Sequence, residues 1–182
     1  MLPDILLNTS ANKILSFLSL HEGTSFYDKE ISEQTNLSRG ITNRLLNQFL
    51  KSGLVTRERR GRMWFYRLSK NPLFKYYRIY ENLVELNDLV NSLKPVSQRI
   101  ILYGSTAQGT DTAQSDIDLF VITDEKEKVF KEIRSYKSER EIKPVIQTAT
   151  EYAISRRKDK AFYEQVSKGI TLFEKEADEQ RL

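Results

Sequence analysis

Apolar residues recur at helical spacing through the first fifty positions. Ile14, Leu15, Phe17 and Leu18 form one stripe, with Thr9 or Ser10 placed to cap the helix and Gly23 to end it. A short second helix is predicted from about Asp28 to Thr35 with Ile31 inward, and Asn36-Leu37 makes a turn. Ser38 caps a third helix whose inward face is Ile41, Leu45, Leu46, Phe49 and Leu50, and Gly53 suits the position after its last turn. The period then changes to that of strands. Val55-Thr56-Arg57 and Met63-Trp64-Phe65-Tyr66 are β-prone runs flanking Arg59-Arg60-Gly61-Arg62, a basic turn with a glycine for positive φ. Asn71-Pro72 breaks the chain. Leu73 to Leu93 reads as one long helix, in which Tyr76, Tyr80, Leu83, Leu86, Val90 and Leu93 recur at spacings of three and four. Such a seam suits either packing on the next domain or a homodimer contact through the 73–93 helix. Beyond Lys94-Pro95 come short apolar strands at Arg99–Tyr103, Leu119–Ile122, Ile142–Ile146 and Gly169–Phe173. Between them a helix is predicted at Lys126–Ser138, with Val129, Phe130 and Ile133 inward, and another at Glu151–Val166. The polar tail from Glu174 to Leu182 is expected to fray.

Three helices followed by a basic hairpin is the order of a winged helix, and the segment from Ile31 to Leu68 resembles the winged-helix regulators related to the helix-turn-helix family. Charge strengthens the likeness. From Asn36 to Lys70 the chain carries Arg39, Arg44, Lys51, Arg57, Arg59, Arg60, Arg62, Arg67 and Lys70 against Glu58 alone, while the formal net charge of the whole is only +4. A basic block in an otherwise slightly acidic chain points to a polyanion such as DNA. The resemblance implies that the third helix enters the major groove. Its outward positions are read as Arg39, Thr42, Asn43 and Asn47, since arginine can fork onto guanine and asparagine onto adenine. Arg59, Arg60 and Arg62 would meet phosphates or the minor groove.

Composition narrows the chemistry. The 182 residues include no cysteine and one histidine, His21. Disulfides, cysteine-bound zinc, a histidine metal site and a Ser-His-Asp triad are excluded, so a metal would be held by carboxylates, which favour Mg2+ or Mn2+. The first ten residues have neither a basic region nor a long apolar run. A cytoplasmic protein without a membrane partner is expected.

One stretch carries chemistry. Arg99–Tyr103 is followed at once by Gly104-Ser105, and ten residues later Asp116-Ile117-Asp118 opens the next apolar run. Residues two apart on a strand face the same way, so Asp116 and Asp118 present two carboxylates side by side, a repulsion that a divalent cation relieves. Gly104 lets the backbone approach a phosphate, and Ser105 offers a hydroxyl. The sequence LYGSTAQGTDTAQSDIDLFVIT resembles the minimal nucleotidyltransferases of the DNA polymerase beta superfamily, whose mark is Gly-Ser, a spacer of about ten, then Asp-x-Asp between two strands. The resemblance implies triphosphate binding at Gly104 and Ser105, and metal binding and catalysis at Asp116 and Asp118. Two positions depart from that pattern. Gln108 stands where the family often has arginine, and Lys143 stands where active members carry a third acid on the next strand. Glu141, two residues earlier, could share that face.

The expected architecture is therefore α+β. An N-terminal winged helix-turn-helix (1–70) is followed by a connector helix (71–95), a small nucleotidyltransferase-fold mixed sheet with flanking helices (96–174) and a tail (175–182). The expected function is that of a DNA-binding protein whose C-terminal domain binds a nucleoside triphosphate with Mg2+ or Mn2+. It would transfer a nucleotidyl group to an acceptor protein or small molecule. The alternative is a transcription regulator whose nucleotidyltransferase domain is an inactive nucleotide sensor.

Overall fold

The computed structural model describes residue 7 and residues 9–176. The expectations for the extreme N-terminus and for the tail beyond 176 lie outside the described residues. Two compact units make up the chain, Met1–Glu81 and Asn82–Leu182. The division falls inside the long helix, not at the expected boundaries after 70 and 95.

In the first unit, α1 (Ser10–Leu20) begins where the Thr9 side chain accepts a hydrogen bond from the Asn12 amide. A two-residue strand, β1 (Phe26–Tyr27), leads into α2 (Asp28–Gln34), whose Glu30 carboxylate accepts from the Tyr27 amide at 2.9 Å. α3 (Arg39–Lys51) starts at Ser38, whose hydroxyl accepts from the Ile41 amide. β2 (Val55–Arg60) and β3 (Met63–Leu68) form an antiparallel hairpin, and β1 pairs with the free side of β3. The core holds Ile14 and Leu18 of α1, Ile31 of α2, Leu46 and Phe49 of α3, and Val55, Tyr66 and Leu68 of the hairpin. Fully burying a side chain of this size contributes roughly 1.5–3 kcal/mol, which is why these three helices close on one small sheet.

The hairpin and α3 each depart from expectation at one point. The hairpin turn is only Gly61-Arg62, with Gly61 at φ +61°; Arg59 and Arg60 belong to β2, where Arg60 pairs with Met63. Thr42, read as facing outward from α3, is fully buried. It shares the stripe of Leu46 and Phe49, at positions i, i+4 and i+7, so helical geometry turns it toward the core.

α4 (Leu73–Leu93) is a single 21-residue helix. Tyr76 and Tyr80, placed on its seam by spacing, are 66% and 43% exposed, whereas Leu86, Leu89, Val90 and Leu93 are buried in the core of the second unit. Of the two uses open to that seam, its C-terminal half has the first, packing within its own domain.

The second unit is built on a four-stranded mixed sheet in the order β6-β5-β4-β7. β4 (Arg99–Tyr103) pairs antiparallel with β5 (Ile117–Ile122) and β7 (Ile170–Glu174), and β5 pairs parallel with β6 (Ile142–Gln147). The central strands are buried on both faces over residues 100–103 and 119–122, as their apolar runs require. One face packs Ile100, Leu102, Leu119 and Val121 against α4 and against Val129 and Ile133 of α6 (Lys126–Ser135). The other packs Ile101, Tyr103, Phe120 and Ile122 against Tyr163 and Val166. The short helix α5 (Gly104–Gln108) follows β4. α6 is shorter than expected, and its Phe130, read as inward, is 38% exposed. The single helix expected over Glu151–Val166 is two, α7 (Ala149–Lys158) and α8 (Lys160–Ser167). They break at Asp159, whose carboxylate accepts from the Phe162 amide and so starts the second helix. Among the described residues, no helix is long and apolar enough to cross a membrane.

Candidate functional site

β4 delivers the chain to Gly104, which turns at φ +71° into α5. A Cβ built on residue 104 would lie 2.3 Å from Oδ2 of Asp118, so the left-handed backbone favours glycine and any side chain here would push the Asp118 carboxylate aside. Tyr103 pairs with Asp118 across β4 and β5, and Asp118 pairs with Lys143 across β5 and β6. These three side chains form one row across the sheet, on the face that also carries Phe120 and Ile122. Ser105 is half-buried beside Gly104. Asp116 lies one residue ahead of β5, and its carbonyl accepts the hydroxyl of buried Thr106 at 3.0 Å, tying α5 to the acidic pair.

The electrostatics match the crowding. Burial pushes the Asp118 carboxyl above the usual carboxylate range, the nearby charge of Asp116 pushes it further, and Lys143 opposes both. Burial, then Asp118, raises the Tyr103 phenol to about 12. Lys143 Nζ lies 2.5 Å from Asp116 Oδ2, and that hydrogen bond holds its ammonium above the ordinary lysine value. Glu141 contributes its backbone carbonyl to the Ile117 amide. Among the described residues, no three His, Cys, Asp or Glu side chains gather in a metal-holding group; the site offers the two carboxylates of Asp116 and Asp118.

Sequence reasoning missed the residues that brace this site. Arg140, just before β6, reaches Asp111 Oδ2 at 2.7 Å, Asn82 Oδ1 at 2.9 Å and Glu85 Oε2 at 2.6 Å. Asn82 in turn donates to the Thr106 carbonyl and to Asp111 Oδ1, both at 3.0 Å. The network fastens α4 to α5, to the loop between Gly109 and Asp116, and to the entry of β6. A polar Asn82 in line with Leu86, Leu89 and Leu93 was the available signal, since a polar residue on a buried helical stripe needs partners.

On the first unit, Arg39 and Asn43 both reach the Asp28 carboxylate, at 2.8 and 3.1 Å. Asn47 is exposed, as are Arg44 and Gln48, two positions the helical spacing did not mark. Along the hairpin, Arg57 lies over the Trp64 ring at 4.1 Å, and Arg60 lies over Phe65 and pairs with Glu58. Arg59 bonds the Gly61 carbonyl, and Arg62 is exposed at the tip.

The family model described as "Polymerase beta, Nucleotidyltransferase" matches residues 84–178. Among solved structures, the chain is similar to the crystal structure of AF1382 from Archaeoglobus fulgidus. The identity is 22% and the TM-score 0.36, over 48% of this chain and 93% of that one. No curated protein matches the chain.

Proposed function

The chain belongs to the polymerase beta nucleotidyltransferase family through residues 84–178, and from that premise we propose that its second unit binds a nucleoside triphosphate with a divalent cation on Asp116 and Asp118. The observation that carries this reading is the packing of the Gly104 backbone against Asp118, with Asp116 beside it. Two carboxylates that repel one another are hard oxygen donors suited to Mg2+ or Mn2+. When bound, such an ion neutralises triphosphate charge and polarises the α-phosphorus. Gly104 admits the phosphates close to the backbone, and Ser105 donates its hydroxyl to them. In the transfer reaction an acceptor hydroxyl gives up its proton to water as its oxygen bonds to the α-phosphorus, the bond from that phosphorus to the bridging oxygen breaks, and pyrophosphate leaves.

A second reading, a nucleotide sensor without turnover, is favoured by Lys143, which pairs with Asp116 from the strand position where the family carries its third acid. An ammonium donates protons and cannot take one from an acceptor hydroxyl.

For the first unit we propose a winged helix that binds DNA. Arg39, Asn43 and Asn47 of α3 would face the major groove, with Arg59, Arg60 and Arg62 on the phosphates; the exposed basic hairpin supports this. Substituting the three hairpin arginines by alanine should make DNA affinity less sensitive to salt. The log–log slope should fall by about 0.9 for each phosphate that is no longer neutralised.

Thermal unfolding with each of the four nucleoside triphosphates, with and without Mg2+ or Mn2+, tests the main proposal. A ligand bound only by the folded chain at a hundredfold excess over its Kd adds roughly 2.7 kcal/mol. The expected result is a metal-dependent shift that vanishes in Asp116→Ala/Asp118→Ala. No shift with any nucleotide rejects the proposal. Label transfer to an acceptor then separates enzyme from sensor.

A further inference from the structure

A site that clamps two divalent ions surrounds them with carboxylates, and in such sites the two ions lie about 3.5–4 Å apart. Here β5 supplies Asp118, the residue just ahead of it supplies Asp116, and the facing position on the parallel neighbour β6 supplies an amine. Lys143 is the register partner of Asp118, and its Nζ is 2.5 Å from Asp116 Oδ2. The lysine side chain is 53% exposed and that of Asp116 36% exposed, so the pair sits at the open mouth of the site. On the other side of Asp118 the row ends at Tyr103, a phenol. No third acid among the described residues joins the two aspartates.

Counting charge decides what this arrangement accepts. Asp116, Asp118 and Lys143 together leave a single formal negative charge, while Glu141, exposed just ahead of β6, acts on Lys143 only through space; one divalent ion converts the three to a single positive charge facing a triphosphate. A second divalent ion would enter a site already positive, beside a fixed ammonium. We propose that Lys143 is a resident cation standing in for one of two divalent ions, so that the site takes a single metal ion on Asp118 and the remaining carboxylate oxygen of Asp116. This rests on the reading of Asp116 and Asp118 as metal ligands. It has a reciprocal consequence: an acid at 143 gives three carboxylates, and two divalent ions then leave the same single positive charge that one ion leaves in the natural chain.

The test is titration of the full chain with Mn2+ alone, following free Mn2+ by electron paramagnetic resonance, with folding checked by circular dichroism. The natural chain should bind one ion and Lys143→Asp two. Lys143→Met should bind one, about two- to fivefold more tightly, because a partly exposed competing cation has been removed. Two ions on the natural chain, or one on a folded Lys143→Asp chain, overturns the inference. So does a Lys143→Met chain that binds no more tightly than the natural one, and this arm decides the matter even where Lys143→Asp does not fold. Mn2+ binding that survives in Asp116→Ala/Asp118→Ala, or is absent from every chain, rejects the metal reading of the two aspartates itself and is recognisable as that separate failure.

Discussion

Gly104 and Asp118 share one space: the carboxylate fills the volume that any side chain at 104 would need. Gly104→Ala must therefore displace Asp118 while also holding alanine at positive φ. The backbone alone should cost about 1–3 kcal/mol. Mn2+ affinity should fall as well, since the displaced carboxylate is a proposed ligand. Chemical denaturation and metal titration of the same sample check both; unchanged ion affinity would show that Asp118 is not positioned by this contact.

Arg140 has its guanidinium almost wholly buried among Asp111, Asn82 and Glu85. Removing one partner of a buried ion pair leaves an uncompensated charge, so Arg140→Met should destabilise the chain by about 3–5 kcal/mol. Asp111→Leu/Arg140→Met should lose less than the sum of the single substitutions. A double-mutant cycle in urea measures that coupling, and additive losses would contradict it.

Thr42 is buried with its hydroxyl lacking a hydrogen-bond partner among the described residues. Thr42→Val keeps the shape and removes the stranded polar atom, so it should stabilise the chain by about 1 kcal/mol. DNA affinity should be unchanged, because the residue does not reach the surface. A loss of DNA binding without a loss of stability would restore the outward assignment.

Asp28 supplies a pH dependence. Burial alone would raise its carboxyl, but hydrogen bonds from Arg39 and Asn43, with the Arg39 charge, outweigh burial and hold it below the usual value of 3.8. A depressed carboxylate stabilises the folded chain above the unfolded value, and that contribution is lost as pH falls through the folded one. Asp28→Asn should therefore flatten the stability profile below about pH 4. It should also tighten non-specific DNA binding by freeing Arg39 from its partner. Denaturation curves across acidic pH and a DNA titration at neutral pH check the two halves.

Much of this was legible in the chain because the relevant geometry is local. The Gly-Ser turn and the Asp116/Asp118 pair are fixed by strand alternation and by one tight turn, and β4, α3 and α4 follow from their apolar periods. What escaped depends on partners distant in sequence or on capping. Asp159 divides a run that reads as one helix, and Arg59 and Arg60 are drawn into β2 by pairing with β3. The bracing of Asp111 by Arg140 joins residues 29 apart and has no periodic signature.

The place of α4 sets a lower limit on any autonomous piece of this chain. A fragment begun at Val96, where the strands start, would lack Leu86, Leu89, Val90 and Leu93, a wall of its own interior. It would also lack Asn82, the residue that grips the Thr106 carbonyl behind the Gly-Ser turn. The smallest excisable nucleotidyltransferase unit must begin no later than Asn82, so the helix that reads as a linker is where that unit starts.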